Sequence, residues 1–95
     1  MIFYVYILYS EKLERFYVGS TNDYLRRLAE HNNIKYPEAF TSRGIPWVLH
    51  HLIKCQSSEQ AYAIESHIKT MRSIKYIKNL ALYPEIIEKL KERFH

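Results

Sequence analysis

Phe3-Tyr4-Val5-Tyr6-Ile7-Leu8-Tyr9, followed by Phe16-Tyr17-Val18-Gly19, is the stretch from which the fold is read. Alternation with a period of two puts Phe3, Val5 and Ile7 on one side of an extended chain and Tyr4, Tyr6 and Leu8 on the other. Phe16 and Val18 separate from Tyr17 and Gly19 in the same way. The spacing predicts an antiparallel hairpin with Phe3, Val5, Ile7, Phe16 and Val18 stacked as one apolar surface and the tyrosines opposite. With Ser10 to Leu13 as the loop, Tyr9 faces Glu14 and Tyr6 lies directly across from Tyr17. Gly19, lacking a side chain, leaves the backbone beside that pair open to a ligand or another segment.

Outward from the hairpin, Ser20-Thr21-Asn22-Asp23 supplies N-capping side chains. Leu25, Leu28 and Ala29 then form the apolar stripe of a helix running to about Asn32. Arg27 and His31 sit one turn apart on a flank of that stripe, free to lean toward the sheet edge, and Glu30 points away. Asn33 to Pro46, with Pro37, Gly44 and Pro46, reads as a loop carrying Thr41, Ser42 and Arg43. Trp47 to Cys55 reads as a third strand, central or half buried. Ser57 with Gln60 makes a capping-box pattern ahead of Ala61, Ile64, Ile68 and Met71, an amphipathic helix. Pro84 at a first helical position, with Ile86, Ile87, Leu90 and Phe94 on one side, opens a C-terminal helix that caps the core. The element order is ββαβαα.

Glu65 lies four residues after Ala61 and three before Ile68, so it belongs to the stripe facing the sheet. A carboxylate there needs a partner. Two readings stand: a nearby Arg or Lys pairs with it or it emerges at the rim, or a metal ion is its partner. Lys69, Arg72, Lys75 and Lys78 accumulate at helical spacing between Glu65 and Glu85, where no acidic residue occurs. That local basic stripe is either a solvated helix face or a phosphate contact.

Ninety-five residues suit one small domain, taken here as residues 1–95, and exclude two cores of ordinary size. At 47% hydrophobic and 25% charged the composition is globular, without a linker-like or repeated segment. Cys55 is the only cysteine, which excludes an internal disulfide and a cysteine-built zinc site. His50 and His51 read as strand residues on opposite faces, with no ligand spacing for zinc. No apolar run approaches the length of a membrane span, and Met1 opens directly into a strand, so a soluble, cytoplasmic protein is expected. A net charge of +4 biases the chain modestly toward polyanionic partners.

Tyr4-Val5-Tyr6, Tyr17-Val18-Gly19, Arg27, His31 and Glu65 together resemble the GIY-YIG nuclease superfamily, and its small single-domain members most closely. The shared wording includes Tyr17-Val18-Gly19-Ser20-Thr21-Asn22-Asp23, Arg26-Arg27-Leu28, Glu30-His31-Asn32 and Ile45-Pro46-Trp47. The resemblance implies an α/β (α+β) fold with a three-stranded antiparallel sheet flanked by helices. It also implies one divalent metal ion, Mg²⁺ or Mn²⁺, and endonucleolytic hydrolysis of nucleic-acid phosphodiesters, DNA in preference to RNA, in repair or processing. Carried over by position, Tyr6 and Tyr17 are the active-site phenols, one of them positioning or deprotonating the attacking water. Arg27 holds the scissile phosphate, His31 is acid, base or phosphate donor, and Glu65 is the metal ligand, with waters and substrate oxygens completing the shell.

Tyr4 departs from the motif, which names glycine there and so leaves a wider pocket. Asn79 is the nearest counterpart of a late asparagine found in many relatives. Many of those nucleases take target recognition from an attached domain. Here Lys69, Arg72, Lys75, Lys78, Arg43 and the Asn33 to Pro46 loop are expected to serve, or an unidentified targeting protein. Two further readings keep the fold without the chemistry. One is a nucleic-acid-binding module that uses the basic residues and exposed tyrosines. The other, a protein-interaction or oligomerisation domain, finds less support because no long heptad pattern stands out. For His31 the plain alternative is a satisfied surface imidazole.

Overall fold

The computed structural model describes residues 2–33 and 40–95. Strands β1 (Phe3–Ser10) and β2 (Arg15–Thr21) form the hairpin, followed by α1 (Tyr24–His31), a 3₁₀ turn (Phe40–Gly44) and β3 (Trp47–Cys55). Helices α2 (Ser58–Met71), α3 (Ile74–Leu82) and α4 (Pro84–Arg93) complete the described chain. The order is therefore ββαβααα, one helix more than the periodicity predicts. Part of the expected Asn33 to Pro46 loop, residues 34–39, lies outside the described residues.

The three strands make one antiparallel sheet in the order β2-β1-β3, so β1 is central and β3 is a half-buried edge with Val48 and Leu49 exposed. The hairpin register differs from the expected one. Ser10 pairs with Arg15, Tyr6 with Gly19 and Leu8 with Tyr17, a shift of one residue along each strand. Glu14 turns the loop in the left-handed region (φ 52). The Ser10 hydroxyl donates to the Gly44 carbonyl at 2.7 Å and accepts from the Leu13 amide at 3.1 Å, tying the loop to the distant 3₁₀ turn. Because both strands move together, each residue keeps its face and only its partner changes. In β3 a bulge lets His51 pair with Ile7 and Leu49 with Leu8, so His50 is the extra residue and strict alternation fails there.

Val5, Ile7 and Val18 on one face meet Ile53, Ala61, Ile64, Ile68, Leu80, Ile87 and Leu90, with Phe3 and Phe16 packed alongside. The opposite face carries a smaller cluster of Tyr6, Leu8 and Trp47, covered by Tyr17, Tyr24 and Leu28. The expected hairpin face is thus the main core, and α4 caps it with Pro84 opening the helix.

Ser57 caps α2 by accepting from the Gln60 amide, while the Gln60 carboxamide reaches back to the Gln56 amide rather than to Ser57 itself. Met71, expected in the buried stripe, is 45% exposed because α2 ends there. Arg72 takes a left-handed conformation (φ 47), and Ser73 caps α3 by accepting from the Tyr76 amide. The expected basic stripe is therefore split between two helices that run in different directions.

Candidate active site

β1 carries Tyr6 at the middle of the sheet, and the pairing opposite it explains why β2 has glycine at 19. A methyl group on Gly19 would press on the Tyr6 hydroxyl and lie 2.5 Å from Tyr6 Cζ. The clearing that Gly19 offers is thus filled by the ring of Tyr6 rather than left open to a ligand. Tyr6 is only 1% exposed. Tyr17, two pairs further along β2, stands diagonally to it with ring centroids 6.3 Å apart, half-buried at the strand edge. No hydrogen bond links the Tyr17 hydroxyl to another described residue.

Helix α1 presents its other components. Asp23 caps it, accepting from the Arg26 amide at 3.1 Å. The inward face is Tyr24, Arg27, Leu28 and His31, not the predicted Leu25, Leu28 and Ala29; Leu25 is 65% exposed. Polar and aromatic contacts set this rotation. Tyr24 meets Tyr4 edge to face at 5.1 Å. The Asn32 side chain donates to the Trp47 carbonyl at 2.9 Å and accepts from the Trp47 amide at 2.6 Å, clamping the end of α1 to the start of β3. His31, the one buried residue of α1, is placed by that clamp at the neighbouring position.

Two side chains then meet at one phenol. Arg27 Nε donates to Tyr6 Oη at 3.4 Å, and Tyr6 Oη lies 3.1 Å from His31 Nε2. The phenol oxygen accepts from the arginine, and toward Nε2 it donates or accepts according to the imidazole tautomer. Burial, reinforced by the Arg27 charge, pulls the His31 pKa below its ordinary value and keeps the ring neutral. Burial also pushes the Tyr6 phenol up, against the hydrogen bond and charge of Arg27, which pull it down. Arg27 is held from its other side by Glu30, whose Oε1 accepts from Nη1 at 2.7 Å. Glu30 was expected to point away; the three-residue spacing on one helix was the signal for this pair. The His31 ring packs 4.5 Å from Tyr17 at a tilt of 57° and is buried, so the imidazole is not a surface group.

Glu65 approaches from the other side of the β2 edge. Ile64 and Ile68 bury fully against the sheet, worth about 1.5–3 kcal/mol each, so apolar packing docks α2 and leaves hydrogen bonds to orient the carboxylate. Ser20 Oγ donates to Glu65 Oε1 at 2.5 Å, and Lys69 Nζ donates to Oε2 at 2.6 Å. The Glu65 side chain is 19% exposed, turned toward the sheet and not outward. Its charge is one of the causes that raise the Tyr6 pKa, so both lie in one electrostatic neighbourhood. Ser20 was expected only as a cap; its role here depends on α2 crossing β2, which no local signal encodes.

For a metal ion, the donor set is spare. Among the described residues no group of three or more His, Cys, Asp and Glu converges. One hard carboxylate with an adjacent hydroxyl suits an ion that keeps its waters and binds substrate oxygens, the habit of Mg²⁺. Lys69 meanwhile neutralises one carboxylate oxygen, so the pairing with a nearby lysine is present.

The basic residues scatter. Lys69 and Arg72 lie beside Glu65 around one shallow depression. Lys75 and Lys78 are exposed on α3, Lys78 close enough to His50 on β3 to lower its pKa. Arg43 is exposed on the 3₁₀ turn. Asn79 sits half-buried in α3, its carbonyl accepting from the Tyr83 amide, and takes no part in the hydrogen bonds around Tyr6.

A three-stranded antiparallel sheet with two tyrosines set diagonally on one face, an arginine and histidine from the first helix and a glutamate from the next is an α+β nuclease-type arrangement. The family model of the GIY-YIG catalytic domain matches residues 2–76, and the chain belongs to that family. The match takes in every element from β1 to the start of α3, and the family implies a nucleic-acid substrate. Searches of curated proteins and of solved structures return no significant match. No helix among the described residues is long and apolar enough to cross a membrane.

Proposed function

We propose that this protein is an endonuclease that hydrolyses phosphodiester bonds, DNA in preference to RNA, with one divalent ion, Mg²⁺ or Mn²⁺, held at Glu65. The observation that carries the reading is the convergence of Arg27 and His31 on the Tyr6 hydroxyl, with the Glu65 carboxylate held on Ser20 of the adjacent strand. The division of labour follows from exposure. Tyr6 is enclosed and bonded on both sides, so it acts as a positioning residue that aims Arg27 and anchors the His31 ring. Tyr17 is the accessible phenol and the group that orients the attacking water; it takes the water's proton only as phenolate, after its own proton has left to solvent. Arg27, 37% exposed, exchanges its surface partner Glu30 for a phosphate oxygen as substrate arrives. His31 stays neutral and packed against Tyr17, so it adds no second positive charge beside Arg27. Glu65 would hold the ion through the oxygen that Ser20 orients, and the bound ion would neutralise phosphate charge and acidify water.

Cleavage of nicked, branched and single-stranded oligonucleotides with Mg²⁺ or Mn²⁺ tests this. Wild type yields product, and Glu65→Gln loses it by at least about a hundredfold, the scale of an electrostatic contribution to the transition state. Equal cleavage by Glu65→Gln, or none by wild type, defeats the reading. The Lys69 contact favours a second one, a non-catalytic binding module, because it satisfies Glu65 without an ion. Salt-dependent binding with no metal-dependent product would establish that module instead.

A further inference from the structure

A groove of about 520 Å³ runs along the outer edge of β2, against the turn between α2 and α3. Its floor and walls are apolar: Phe16, Val18, Ile68 and Ile77, with Ile74 standing 55% exposed at the mouth. Its rim is cationic, carrying Arg15, Lys69 and Arg72 against the single acid Glu14. Among the described residues, the two non-glycine ones with left-handed backbone, Glu14 and Arg72, both border it. Tyr17 lines the groove, and Lys69 and Arg72 are shared with the depression that holds Glu65.

From this we infer that the groove takes one unpaired nucleotide of the substrate strand, its base on the apolar floor and its flanking phosphate between Arg15 and Arg72. The inference rests on the cleavage site being that of Tyr17 and Glu65. A strand crossing that site meets Lys69 and Arg72 next and then the groove. An aromatic base supplies the flat, apolar surface that Phe16 and the isoleucines accept, and its backbone supplies an anion for Arg15 and Arg72, Lys69 being paired with Glu65. A stacked base pair presents no free ring face, so the occupant is a base out of the duplex, in a single strand, a flap or an extruded position. A peptide strand added to the β2 edge would fill the same space but bring no phosphate to Arg15 and Arg72.

The test is binding without divalent metal, so that it does not depend on cleavage. Fluorescence anisotropy compares a short single-stranded oligonucleotide with the duplex of the same sequence, for wild type, Ile74→Asp and Arg15→Ser. Both substituted residues are exposed, and thermal melts matching wild type confirm that each variant is folded. Each variant is expected to weaken single-strand binding by about fivefold or more, the scale of one lost base contact, with duplex binding changed less than about twofold. Equal weakening for both ligands would reduce the groove to general charge attraction and overturn the inference. So would unchanged binding by Ile74→Asp. A concentration-dependent dimer in light scattering that Ile74→Asp dissolves would assign the groove to a second copy instead. Failure of the cleavage reading appears separately, as product formed by Glu65→Gln.

Discussion

Gly19→Ala places one methyl group where the structure has no room for it. The added carbon would lie 2.5 Å from Tyr6 Cζ and 2.9 Å from Cε1, a full ångström inside ordinary contact. The ring cannot swing aside freely, because it is 1% exposed and its hydroxyl is bonded to both Arg27 and His31. Two responses are open. If β2 backs away, the overpacking costs about 1–3 kcal/mol. If Tyr6 moves instead, it forfeits two hydrogen bonds at about 1 kcal/mol each and leaves His31 Nε2 buried without a partner, another ~1–3 kcal/mol. The less costly response sets the loss at about 1–3 kcal/mol, large for a single methyl group yet within the usual ~5–15 kcal/mol stability of a domain. Urea denaturation of wild type, Gly19→Ala, Tyr6→Leu and the double variant isolates the contact. With the ring gone, the alanine should cost less than about 1 kcal/mol, so the cycle yields a coupling near 2 kcal/mol. An alanine equally costly in both backgrounds, or harmless in wild type, would refute the placement of Tyr6 over Gly19.

Two further outcomes follow from the same neighbourhood. The His31, His50 and His51 pKa values all lie below the ordinary 6.5, chiefly through burial, so the unfolded chain binds protons there more readily than the folded one. Stability should therefore rise with pH through the window below 6.5 and flatten above it, with cleavage falling as His31 protonates. An NMR titration placing His31 at or above 6.5 would contradict the neutral imidazole. Lys69→Met should tighten Mn²⁺ binding about two- to fivefold, as expected from removing a half-exposed ion pair, with Glu65→Gln abolishing it, both read by electron paramagnetic resonance. Unchanged or weaker Mn²⁺ binding would show that Lys69 does not compete for the carboxylate.

Alternation in Phe3 to Leu8 and Phe16 to Gly19 assigned each residue to its correct face, because side-chain direction in a strand is a local property of the backbone. Cross-strand partners were not legible in the same way. They depend on a loop fixed by Glu14 in a left-handed conformation and by the reach of Ser10 to Gly44, which lies thirty-four residues away. Helix α1 was foreseen as a helix but not in its rotation. Eight residues form the same internal hydrogen bonds whichever side faces the sheet, and the choice fell to Tyr6 and Trp47, which hold Arg27 and Asn32. The break after Met71 went unread because Arg72, and not glycine, adopts the left-handed turn.

The order of Tyr6, Tyr17, Arg27, His31 and Glu65 along the chain was enough to point to the GIY-YIG family, since a motif is carried by residue type and spacing alone. Which phenol is enclosed, which carboxylate oxygen belongs to Ser20 and which to Lys69, and where a groove opens beside them were decided only by the folded chain. Those properties arise where separate segments exclude water from one another, and no stretch of sequence contains both sides of such a contact.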